Sequence, residues 1–112
     1  MSKPDTSPYM VLVTAPDHET ATKLAKSALT QRLTACANLI PAIESHYWWQ
    51  DNLEAASEHL ILFKTVKKHL DPLKRLIEKE HPYDLPEFLC FEVDSSSPAY
   101  LKWLREECQT PQ

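Results

Sequence analysis

CANLIPAIESHYWW at residues 36–49, QDN at 50–52 and LEAASEHLILFKT at 53–65 form the stretch that decides the fold. From Cys36 to Trp49 the hydrophobic period is two, the spacing of a strand with two different faces. Leu39, Ile43, Tyr47 and Trp49 fall on one face, and Asn38, Glu44, His46 and Trp48 on the other. Pro41 has no N–H to donate, so the strand must bulge there or lie on an edge. Gln50-Asp51-Asn52 is a turn signal without glycine, with Asp51 and Asn52 expected in left-handed conformations. The second strand spans residues 53–65. Its end, Leu60-Ile61-Leu62-Phe63, is apolar on both faces, as a central strand requires.

At about thirteen residues each, these strands reach ~43 Å at ~3.3 Å per residue. A 100-residue domain has a radius of gyration near ~13 Å, so the hairpin must overhang its own core or curl strongly. A bare two-stranded ribbon is marginal in water. Tyr47-Trp48-Trp49 near the tip puts aromatic rings on both sides of this ribbon. Exposed apolar surface of that kind marks a binding surface, most simply for another copy of the chain. The bland alternative is a ribbon folded back on its own helices.

Working outward, Tyr9–Val13 is a short apolar run bounded by prolines and reads as a buried strand. Asp17 offers an N-cap and Glu19 suits the first turn of a helix over 17–32, whose stripe is Ala21, Leu24, Ala25, Ala28 and Leu29. After the hairpin, Val66, Leu70, Leu73, Leu76 and Ile77 mark a second helix; Asp71 is expected to cap it with Pro72 in first position, and it stops before Pro82. Residues 88–93 read as a fourth strand, and Ser97-Pro98 opens a last helix with Leu101, Leu104 and Cys108 inward. The order β-α-β-β-α-β is the split βαβ, or ferredoxin-like, α+β arrangement with an extra C-terminal helix. Right-handed crossovers place the first two helices on one face of a four-stranded sheet. Residues 1–8 are expected to fray as a disordered tail ahead of a single domain at 9–112.

Composition narrows the function. The chain has 112 residues, 43% hydrophobic and 25% charged, which suits one globular domain with a thin core. A net charge of -4 disfavours nucleic acid or an anionic membrane as partner, and Lys67-Lys68 reads as a solvated helix start. No apolar run approaches the ~18 residues of a membrane span, and the first residues lack a signal-peptide pattern. Cys36, Cys90 and Cys108 show no CxxC spacing and cannot all pair, so reduced thiols and a cytoplasmic setting are expected. Glycine is absent, which excludes Gly-rich phosphate loops, dinucleotide fingerprints and the GxSxG elbow together. Positive φ must then fall to Asn or Asp.

The densest polar cluster is His81-Pro82-Tyr83-Asp84-Leu85-Pro86-Glu87, where two prolines limit the freedom of an imidazole, a phenol and two carboxylates. Rigid display suits a binding site; the structural alternative is a helix stop with Tyr83 packed and His81 on helix carbonyls. Imidazole and thiolate could hold copper or zinc, but no ligand spacing appears, so a metal site within one chain is unsupported. His18 and His69 read as solvated, His59 as a strand residue with a packed neighbour, and Cys90 and Cys108 as core. Catalysis is disfavoured: Cys36 with His81 and Glu87 is the one constellation, and only the fold could assemble it.

Several motifs in one order, Thr14-Ala15-Pro16-Asp17, Arg32 to Pro41, Tyr47-Trp48-Trp49-Gln50, Leu62-Phe63-Lys64-Thr65, His81 to Glu87, and Tyr100 to Leu104, resemble the CutA family over about residues 9–108. The resemblance implies a ferredoxin-like fold, a tight homotrimer with hairpins paired edge to edge, and a non-enzymatic role in tolerance of divalent ions, notably copper. Its architecture is similar to PII signalling proteins, which bind small effectors between subunits. Cys36, Asn38, Lys64, His81, Tyr83 and Glu87 are the expected ligand-binding residues, with His81 as metal donor; Tyr47, Trp48 and Trp49 belong to the expected trimer interface. Where family members often carry glycine, this chain has Asp51 and Ala42. Val13 and Glu80 stand where relatives place a copper-binding cysteine and a second histidine, which leaves His81 alone of that set. A structural trimeric adaptor is the alternative.

Overall fold

Alternating burial sets the sheet. Val11, Val13 and Ala15 on one strand and Ile61 and Phe63 on another are fully buried, while the residues between them are half-buried. The computed structural model describes residues 3–109. Its elements run β1 (Pro8–Ala15), α1 (His18–Thr30), β2 (Cys36–Trp49), β3 (Asn52–Val66), a 3₁₀ turn (Lys67–His69), α2 (Leu70–Glu80), β4 (Leu89–Glu92) and α3 (Pro98–Glu107). The sheet order is β2-β3-β1-β4, antiparallel throughout, which is the expected split βαβ topology with β3 central.

α1 and α2 cover one face. Ala21, Leu24 and Ala28 of α1 and Leu73, Leu76 and Ile77 of α2 pack on Val11, Val13, Ile61 and Phe63. Asp17 caps α1, its carboxylate accepting from the Thr20 N–H at 2.7 Å. α3 makes a second, smaller cluster in which Leu104 and Cys108 meet Val66. Ser97 caps it with Pro98 in the first turn, and the Thr65 hydroxyl donates to the Leu33 carbonyl beneath.

Beyond the Ala15–His59 pair, β3 is bonded to β2 alone, so residues 43–58 project as a two-stranded arm. The tip turns on Gln50 and Asp51, both with positive φ (49° and 66°). Asn52, expected to be left-handed, is instead the first residue of β3. The principal extents are 44 × 29 × 22 Å, and the radius of gyration is 14.8 Å.

Several other expectations need correction. The bulge at Pro41 is present: Ile40 pairs with Leu60 and Ile43 with Glu58, with Ala42 at φ 57°. That extra residue reverses the phase of β2, so Leu39 opposite Ile61 faces the helices, while Ile43 and Tyr47 share the open face with Glu58 and Glu54. Asp71 does not cap α2; the N-cap position falls at His69, which makes no side-chain cap bond, and Pro72 sits in the first turn, where its missing N–H has no helical partner to lose. His69 is buried rather than solvated, bonded through Nε2 to the Cys108 carbonyl. Cys90 is exposed on the edge strand β4 rather than in the core. Residues 3–8 are docked, not frayed: Lys67 N–H donates to the Ser7 carbonyl, Lys68 N–H to Asp5 and the Arg105 guanidinium to Thr6. Residues 1–2 of the expected tail lie outside the described residues.

Candidate functional site

The loop between α2 and β4 runs past the end of β1 and lies against the arm where it leaves the domain. His81 caps α2, its N–H donating to the Ile77 carbonyl. Its ring is buried, and both nitrogens are engaged. Nδ1 accepts from the Tyr83 N–H at 3.1 Å, which puts the ring proton on Nε2, donated to the Thr14 carbonyl at 2.7 Å. His81 thus ties the loop to the end of β1 and has no free lone pair for a metal. The metal-donor role expected of it would require one of these two bonds to open.

Tyr83, tilted against the His81 ring, donates its hydroxyl to Glu58 Oε2 at 2.8 Å. Burial, and then that bond to Glu58, push the Tyr83 hydroxyl well above the usual phenol range. Glu87 also points into this space; burial first and the charge of Glu58 second hold its carboxyl above the usual carboxylate range. Together these groups bound a cleft of about 730 Å³ whose far wall is the arm, with Glu44, Tyr47, Trp48 and Trp49 among its lining. His46 contacts Glu44 at 2.6 Å on the rim.

The expected site residues therefore divide. His81, Tyr83 and Glu87 meet at this cleft with the tip aromatics. Cys36, Asn38 and Lys64 lie together elsewhere: Cys36 is opposite Lys64, and its thiol is 3.7 Å from Asn38 Oδ1. Lys64 is six positions along β3 from Glu58, about 20 Å along the strand. The Lys64 ammonium instead sits 5.9 Å above the Tyr100 ring. Glu58 is the residue that sequence reading missed. The available signal was its position in phase with Leu60 and Leu62, a carboxylate on an apolar face.

The chemistry of copper does not fit these positions within one chain. Among the described residues no three His, Cys, Asp or Glu side chains converge on a point. The soft donors are divided between the two places, with the histidine occupied. Burial pushes the Cys108 thiol up, and that sulfur lies in the α3 cluster.

Fold and cleft define a split β-α-β-β-α-β domain with an overhanging hairpin arm and a rigid proline-bounded loop against the arm's base. The family model described as CutA1 divalent ion tolerance protein matches residues 9–107, and the chain belongs to the CutA family. It is 40% identical over 100 residues to the divalent-cation tolerance protein CutA of Escherichia coli O139:H28, covering 89% of each chain. To the chloroplastic CutA protein of Arabidopsis thaliana it is 38% identical over 86% of its own length; it spans about half the length of that relative, 53%. Among solved structures, the divalent cation tolerance protein of Thermus thermophilus superposes with TM-score 0.87 at 36% identity, covering 89% of this chain and 97% of that one. CutA1 of Pyrococcus horikoshii gives 0.86 at 38%, covering 91% and 99%. Among the described residues no helix is long and apolar enough to cross a membrane.

Proposed function

We propose that the chain works as a non-enzymatic homotrimer of the divalent-ion-tolerance class, binding a small ligand or a shared metal ion at clefts between subunits. The observation that carries this reading is a cleft walled on one side by the arm itself, whose tip is aromatic and exposed (Trp48 73%, Trp49 41%). An arm extending past its own core is supported best by a neighbour. The helix-free sheet face agrees: Leu12, Leu62, Ile40 and Leu89 share it by register, and Ile40 and Leu89 are largely exposed. Exposed apolar surface on that scale belongs to interfaces. Three-fold packing would also give a metal the convergent donors that one chain lacks.

The non-enzymatic part is supported by the engagement of both His81 nitrogens and by its separation from Cys36, which removes the one nucleophile–base pair considered. Native mass spectrometry with Cu(II), Zn(II) and a nucleotide mixture tests the whole. A trimer gaining a fixed number of ions or ligands is expected, and a monomer overturns the reading. Trp49→Ala should weaken assembly by about 3–5 kcal/mol, seen as dissociation on a sizing column. An unchanged trimer would remove Trp49 from the interface. A trimer that binds nothing would leave a structural adaptor.

A further inference from the structure

We infer that the cleft takes a small organic cation, an alkylammonium group seated between the carboxylates of Glu58 and Glu87 and the rings of Tyr47 and Tyr83. This rests on the cleft reading above and names its ligand chemistry.

Charge comes first. Glu58 is only 7% exposed, and its one side-chain hydrogen bond comes from the neutral Tyr83 hydroxyl. Among the described residues no Lys or Arg pairs with it. A buried carboxylate without a cation is costly, and a positive ligand group offsets that cost directly. Glu87, half-buried, faces the same space, and Glu44 adds a third carboxylate at the rim. No Lys or Arg among the described residues lines the cleft. The charges that one chain brings to it are Glu44, Glu58 and Glu87, with His46 against Glu44, a balance that favours a cation over an anionic effector such as a nucleotide.

Size and wall chemistry then separate an organic cation from a bare ion. A hard divalent cation gathers about six or more oxygens at ~2.0–2.6 Å, a shell far smaller than this space. The space of about 730 Å³ is far larger than an ion and within the range of small-molecule pockets. Its walls include Tyr47, Trp48, Trp49 and Tyr83. Aromatic faces attract an alkylammonium within ~6 Å of the ring centre, and its weakly hydrated alkyl surface is buried at the same time. A compact hydrated metal ion gains little from those rings.

The test is titration of the full chain with tetramethylammonium and, separately, an α,ω-alkanediamine, followed by tryptophan emission and native mass spectrometry. Saturable binding at one ligand per chain is expected, roughly tenfold weaker in Glu87→Gln and in Tyr47→Leu. Glu87→Gln keeps the side-chain shape, and Tyr47 is 42% exposed, so retained thermal melts check that both variants fold. Binding unchanged in both variants lies outside the cleft and overturns the inference. Saturable binding of Cu(II) or ATP there, without either ammonium probe, also overturns it and leaves the cleft reading standing. Binding of none of these probes overturns both.

Discussion

Arg32, Ala42, Gln50 and Asp51 hold positive φ, at 60°, 57°, 49° and 66°, in a chain that contains no glycine. A side chain with a Cβ in that region costs about 1–2 kcal/mol, of which glycine would recover part after its own entropy. Ala42→Gly at the bulge is therefore expected to stabilise the fold by up to about 1 kcal/mol. The check is a higher urea midpoint at unchanged m-value, and a lower midpoint would show an unstrained bulge. Glu87 gives a pH prediction of definite sign. Its folded carboxyl sits above the ordinary value of 4.5 because burial and Glu58 disfavour the charge. Its stabilising contribution is thus complete below that value and lost as pH rises through the folded pKa. Glu87→Gln should raise the melting temperature at pH 7 and leave it nearly unchanged near pH 4; equal shifts at both would refute the linkage. Residue identity announced the stiff His81–Glu87 loop but not the role of its histidine. Ring-nitrogen partners depend on the Thr14 carbonyl, which local sequence does not place near residue 81.

Elements were legible where a period or a cap is local. β2 follows its sequence bounds, and Asp17 and Ser97 cap the helices expected of them. Phase across the bulge was not legible, because Pro41 announces an interruption without saying how many residues are added. The start of α2 failed for a related reason: an Asp-Pro pair also fits inside a first turn, once a 3₁₀ turn delivers the chain there. α3 was read from caps and stripe, but its partner Val66 comes from the far end of β3. Leu104 is the main side chain holding α3 to that strand and is 4% exposed. Leu104→Ala should cost about 2–5 kcal/mol, with amide exchange rising first in α3 and in residues 3–8, since Arg105 holds the Thr6 carbonyl. Protection lost evenly over the domain would mean that α3 unfolds only with everything else.

At the scale of the whole molecule, a radius of gyration of 14.8 Å exceeds the ~13 Å of a compact chain of this length, and the excess is the arm. An arm bonded only to itself is stable when something covers it, and the open sheet face beside it has the same need. Both surfaces are satisfied together if the sheets of three chains face one another. A charge on that face then separates assembly from folding. Ile40 is 41% exposed and stands opposite Leu60 on the helix-free side, so Ile40→Lys costs a single chain little. In a trimer it would bring ammonium groups toward the three-fold axis with no acid paired to them, a penalty of several kcal/mol per buried charge. The expected outcome is a folded monomer, with near-native circular dichroism and a light-scattering mass close to the chain's 12.9 kDa. A variant that keeps a three-chain mass would mean that the open face lies outside the interface, leaving assembly to the arms alone.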